Sequence, residues 1–227
     1  MANQLDLEEQ EQLDQLKHFW AQYGNGITWM LIIVLGCVAA WNGYQYWQRT
    51  QAVQSAALFD EVERTVRSGD VQKSERAFAE MKDRFASAVY TQQAGLLVAK
   101  LAFDAGKTDA AKSTLTWVAE KASDKGYASV AKLRLATLLI SANALDEALV
   151  MLDSGVADEF QALAADRKGD VYVMQGKKTE AKAQYQKAYK AFDDRVEYRR
   201  LVEVKLGALG VEPEKAGLAS GVSEGAK

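Results

Sequence analysis

Between Lys17 and Arg49 the sequence carries no formally charged side chain, and the apolar centre of this stretch runs from Ile27 to Trp47. Coiled as an α-helix, that centre measures about 31 Å at 1.5 Å per residue, which matches a bilayer hydrocarbon core of roughly 30 Å. Trp29 near one end and Trp41, Tyr44, Tyr46 and Trp47 toward the other lie where aromatic side chains favour the membrane–water interface. A cleaved signal needs a basic leader and a shorter apolar run. Here Asp6, Glu8, Glu9, Glu11 and Asp14 stand against Lys17 alone, although Val38 and Ala40 mimic a cleavage site. The stretch reads as an uncleaved anchor: a short acidic tail over 1–24, then a transmembrane helix over 25–47 in contact with the lipid bilayer.

Orientation is weakly encoded. Lys17 and the amino terminus lie on one side of the span, Arg49 and Arg64 on the other, so the positive-inside rule has little to weigh. Long domains translocate largely regardless of charge, which favours a tail inside and a large C-terminal domain outside. Cys37 is the only cysteine and falls within the span. The lack of thiols elsewhere fits an oxidising compartment. Gly36, Ala39, Ala40 and Gly43 recur at i, i+3, i+4 and i+7 and so share one helix face. Small residues let helix backbones approach closely in lipid, so this face is a candidate packing surface. Glycine and alanine are also common in spans, and the face equally suits plain lipid contact.

Beyond the span, residues 48–227 hold 27 Lys+Arg against 26 Asp+Glu. That balance opposes nucleic-acid binding, which calls for a basic stripe. Helix formers dominate and Pro213 is the only proline, so the fold class is all-α. The last residues, 211–227, hold too little apolar content to pack and read as a disordered tail.

The soluble part repeats itself. In "ADRKGDVYVMQGKKTEAKAQYQKAYKAF", Gly169, Tyr172, Gly176, Ala181, Tyr185 and Ala188 follow the spacing of a tetratricopeptide repeat. Small residues at Gly169 and Ala181 let two antiparallel helices approach, Tyr172 and Tyr185 fill the space between them, and Gly176 ends the first helix in a left-handed turn. Weaker copies occur at Ala99, Ala102, Gly106, Ala111 and Leu115, and at Ala136, Leu139, Asn143, Ala148 and Leu152. A degenerate hairpin around Gly69 precedes them, with Phe78 on its second helix. "RVEYRRLVEVKLGAL" reads as a capping helix with its charged side toward water. The expectation is one transmembrane helix followed, over 48–210, by a tetratricopeptide-like α-solenoid of about four helical hairpins. An ordinary helical bundle is the competing fold, because several matched positions are alanines in an alanine-rich chain.

Catalytic constellations do not assemble from this sequence. His18 is the single histidine and borders the span, no thiol lies outside it, and no Gly-rich loop precedes a Lys–Ser pair. Asp193–Asp194 and Glu61–Glu63 have spacings common on solvated helices. The expectation is a binding protein, not an enzyme, with no cofactor and no metal. Tetratricopeptide arrays bind on the concave face of the first helix of each pair. Carried across by phase, that face comprises Phe59, Leu96, Phe103, Leu133, Thr137, Ile140, Asp166, Asp170, Val173 and Met174. The Lys and Asn positions of a carboxylate clamp are filled by Leu96, Leu133 and Asp166, which opposes a clamp. A groove with apolar rungs suits an extended or helical partner segment; the same residues would also serve to close the superhelix.

The order of these features resembles one family. "LKHFWAQYGNGI" leads into the span, "GYQYWQ" leaves it, and "ADRKGD" opens the best repeat. In this layout, over about residues 10–210, the chain resembles the YfgM-type ancillary subunits of the SecYEG translocon of Gram-negative bacteria. The resemblance implies a single-span protein of the cell inner membrane, its N-terminus cytoplasmic and its repeat domain periplasmic. It further implies association with the SecYEG translocon and with a membrane-anchored periplasmic chaperone of the peptidyl-prolyl isomerase type. A regulatory contact by the cytoplasmic tail is also implied, and Leu13, Leu16, Trp20 and Tyr23 fall on one face of a helix there, a stripe that equally suits lying at the membrane surface. The alternative functions are a repeat adaptor of envelope assembly or cell division, and a tail-based regulator of an envelope stress response.

Overall fold

The computed structural model describes residues 7–211. The first residues of the acidic tail and nearly all of the expected disordered tail lie outside that range. Among the described residues there are nine α-helices and one short 3-10 turn, Asp158–Phe160, and no strand. Two compact units divide the chain, one ending at Val53 and one beginning at Gln54.

The described part of the first unit belongs to α1 (Leu7–Arg67), which is helical through the expected boundaries at 25 and 47. Proline is absent from it, and a helix that meets lipid must keep its backbone hydrogen bonds within itself. Its few polar side chains do the same. Thr28 Oγ1 donates to the Gly24 carbonyl at 2.7 Å, and Asn42 Nδ2 donates to the Val38 carbonyl at 3.0 Å. Leu31, Ile32, Ile33, Leu35 and Trp41 are all exposed on the protein surface. A core helix would bury such a stripe, and this one is left open along its length. Among the described residues it is the one helix long and apolar enough to cross a membrane.

The second unit is a stack of hairpins. The end of α1 meets α2 (Val71–Phe85), α3 (Val89–Asp104) pairs with α4 (Thr108–Lys121), and α5 (Lys125–Ser141) with α6 (Leu145–Asp153). α7 (Gln161–Met174) pairs with α8 (Lys178–Ala191), and α9 (Tyr198–Ala208) closes the end against α8. Packing is between neighbours along the chain, with α3, α5 and α7 also meeting as a row of first helices.

Four turns repeat the same backbone solution. Gly69, Gly106, Asn143 and Gly176 all have φ between 58° and 74°. In each, the next residue's N–H reaches back five residues: Lys107 to the Ala102 carbonyl, Ala144 to Leu139 and Lys177 to Tyr172, each at 2.8 Å, and Asp70 to Thr65 at 3.3 Å. This is the six-to-one bond of a Schellman turn, which needs a left-handed residue at its corner. Asn143 substitutes for glycine there because asparagine tolerates that region better than other side chains.

The template's small positions are buried without exception: Ala99, Ala102, Ala111, Ala136, Ala148, Ala181 and Ala188. The weaker copies are therefore packing positions and not an echo of alanine-rich composition. Phe78 is buried with Phe59, Val62, Met81, Ala94 and Val98 in the first hairpins, and its ring meets Trp117 edge-on at 5.5 Å.

Candidate partner-binding site

The first helices α3 and α5 leave a recess of about 360 Å³ between them. Ala99, Lys100, Phe103 and Asp104 of α3 form one wall, Arg134, Thr137 and Leu138 of α5 the other, and Leu115 of α4 the floor. Two of the lining residues are small. Ala99 is only a methyl, and Thr137 turns its hydroxyl onto the Leu133 carbonyl of its own helix at 3.0 Å. Phe103 stands at the mouth, 48% exposed. Lys100 and Asp104 pair with each other one turn apart. Arg134 Nη1 donates to the Leu96 carbonyl at 3.0 Å, which ties α5 to α3.

Of the expected groove residues, Phe103 and Thr137 line this recess. The others are placed elsewhere. Phe59 and Leu96 are core residues, buried among the first hairpins and the central cluster respectively. Leu133 packs against Leu152, Val156 and Ala164, and Ile140 against the central cluster, both half-buried. Val173 and Met174 are exposed at the end of α7. On α5 the recess is lined by Arg134, Thr137 and Leu138, with Thr137 one turn along from the half-buried Leu133. Lys100 and Arg134 were missed, although a charge in helices as apolar as α3 and α5 marks a side that cannot be core.

This geometry yields a direct check. Leu133→Asp puts a carboxylate among apolar side chains and should cost about 1–3 kcal/mol, read as a lower urea midpoint of the full chain in detergent. Phe103→Asp, at the exposed mouth, should stay within about 0.5 kcal/mol of wild type.

Asp166 and Asp170 serve a different end. Asp166 is fully buried, accepting from Tyr198 Oη at 2.8 Å and from Lys205 Nζ at 2.7 Å. Asp170 accepts from Tyr185 Oη at 2.7 Å and shares the same lysine at 2.7 Å. Two carboxylates of α7 thus hold α9 through Lys205 and Tyr198, and α8 through Tyr185. Burial first, then donation to Asp166, pushes the Tyr198 hydroxyl up to about 12. Burial and Asp170 push Tyr185 up as well. Both phenols therefore stay neutral donors. α9 does not simply turn its charges to water as expected: Lys205 points inward, while Leu201 and Val204 are exposed.

The repeat-signature residues meet between α7 and α8. An added Cβ at Gly169 would lie 2.4 Å from Tyr185 Cε1, so only glycine lets α8 approach α7 this closely. Tyr172 packs against the same cluster, and Gly176 turns the chain at φ 74°. In the apolar helix, Gly36, Ala39, Ala40 and Gly43 are exposed, and a Cβ at Gly36 or Gly43 would meet nothing within 4 Å.

A family profile described as a tetratricopeptide repeat-like domain matches residues 17–211, spanning both the apolar helix and the hairpins. A relative from Neisseria gonorrhoeae is 30% identical over 207 residues, covering 89% of this chain and 98% of the relative. One from Haemophilus influenzae is 31% identical over 186 residues, covering 80% of this chain and 89% of the relative. The chain belongs to the family of the ancillary SecYEG translocon subunits. An Escherichia coli member is 24% identical over 206 residues, 89% of this chain and 97% of its own length. All three relatives bear the name ancillary SecYEG translocon subunit. Among the described residues, no group of His, Cys, Asp and Glu is arranged to hold a metal ion. A repeat fold of this kind fits a scaffold.

Proposed function

We propose that this protein is a non-enzymatic, single-span scaffold of the inner membrane that sits beside the SecYEG translocon and links export to periplasmic folding. Residues 1–24 lie in the cytoplasm and the repeats in the periplasm, where they engage a membrane-anchored chaperone of the peptidyl-prolyl isomerase type. The observation that carries this reading is that kinship with named translocon subunits runs through both the apolar helix and the hairpins. Purification from mild detergent should recover translocon subunits together with that chaperone. Recovery of division or cell-wall enzymes in their place would overturn the reading.

Topology has its own test. Cys37 is the only thiol, so Cys37→Ala combined with Ser113→Cys or Gln4→Cys gives single reporters, and Ser113 is exposed on α4. In cells with a permeabilised outer membrane, a maleimide that cannot cross the inner membrane should label Ser113→Cys and spare Gln4→Cys. Reversed labelling would place the repeats in the cytoplasm, and labelling in a shortened soluble product would mean that the apolar helix is cleaved.

The span contributes to the same association. Close backbone contact is a main source of helix pairing in lipid, and the open space at Gly36 and Gly43 permits it. Gly36→Leu with Ala40→Leu should lower translocon recovery several-fold while membrane insertion is retained. Unchanged recovery would remove this face from the interaction.

A further inference from the structure

An apolar recess and a cation without a carboxylate coincide between α3 and α5. We infer that this recess docks a partner-protein segment that carries an apolar anchor side chain with an aspartate or glutamate close to it in sequence. The inference rests on the scaffold reading and specifies what the repeats bind.

The recess takes a side chain and not a folded surface. Its volume, about 360 Å³, lies at the low end of ligand pockets, and Leu115 and Leu138 inside it are buried and apolar. Phe103 at the mouth offers an exposed ring to a second apolar group.

The charge at the rim selects the neighbour of that anchor. Lys100 and Asp104 cancel one another within α3, which leaves Arg134 as the net charge of the lining. Among the described residues no carboxylate pairs with it, and its only described hydrogen bond is to the Leu96 carbonyl. That bond fixes the guanidinium at the rim while its other N–H groups stay available. An arginine fork held this way suits a carboxylate, which it meets with two parallel hydrogen bonds. A basic segment would be repelled, and a neutral one would cover the charge without replacing its water. The segment is therefore apolar and acidic together.

The test uses the full chain in lipid nanodiscs and a displayed library of random short peptides. Selected peptides should pair a large apolar residue with a nearby Asp or Glu. The tightest of them, made synthetically with a fluorophore, should lose about tenfold or more in affinity on Arg134→Glu and on Phe103→Ala. Repeating the selection on the Arg134→Glu protein should bring in Lys or Arg. If Arg134→Glu fails to fold, Arg134→Gln and Phe103→Ala decide. An empty selection, peptides without an acidic preference, or binding indifferent to these substitutions would overturn the inference. Translocon recovery by the wild-type chain is measured alongside: if that fails, the scaffold reading falls, and if only the peptide selection fails, the docking chemistry falls alone.

Discussion

Asp166→Ala should lower the stability of the repeat domain by about 3 kcal/mol, near the bottom of the range for breaking one side of a buried ion pair. The carboxylate is fully buried and holds Lys205 and Tyr198 of the closing helix. Its loss leaves the phenol of Tyr198 without its acceptor and Lys205 with half its counter-charge. The cost stays near the bottom of the range because Asp170 still sits 2.7 Å from the ammonium. Urea unfolding of the full chain in detergent, followed by circular dichroism, reads the change. Lys205→Met on top of Asp166→Ala should cost clearly less than the two single changes summed, because the pair is then removed as a unit. A loss below about 1 kcal/mol for Asp166→Ala would mean that apolar contacts of Val202 and Leu206 alone hold α9.

Gly169→Ala should cost about 1–3 kcal/mol, the usual range for overpacking, and fall at its upper end. The new methyl would sit 2.4 to 2.9 Å from three carbons of the Tyr185 ring. That ring is buried, and its hydroxyl is tied to Asp170, so it cannot swing aside. Tyr185→Leu in the Gly169→Ala background should therefore recover part of the loss despite deleting a hydrogen bond. Gly207 gives the contrast, since a Cβ there would meet nothing within 4 Å. Gly207→Ala, exposed in the last turn of α9, should not destabilise and should stabilise by less than the roughly 1 kcal/mol of a helix interior. Equal effects at Gly169 and Gly207 would show that backbone propensity, and not the Tyr185 contact, sets the cost.

These two sites also mark what could be read in advance. Gly169, Tyr185 and Gly176 were legible because their partners lie one helix away and helical periodicity fixes the register. The alanine-rich copies were legible for the same reason, once their small residues fell at matching steps. Asp166 was not, since the lysine that claims it is 39 residues downstream, and nothing local announces that meeting. Without that partner an acid on a first helix looks like groove lining. The recess was half legible: Phe103 and Thr137 were in phase, whereas Arg134 sits one residue from Leu133 and was passed over. A helix turns about 100° per residue, so adjacent positions meet different surroundings: Leu133 is half-buried and Arg134 exposed.

The order in which helices meet has a consequence for biogenesis. Each hairpin closes through its own left-handed corner and rests mainly on the hairpin made just before it. No part of the stack has to wait for a distant strand to arrive. A chain threading out of a narrow conduit can therefore settle in instalments, one corner at a time from its amino-terminal end. Only the last instalment is different in kind. Asp170 has Arg167 of its own helix beside it, but until α9 emerges with Lys205, Asp166 lacks its cation, and the final stretch of chain acts as the clasp that completes the domain.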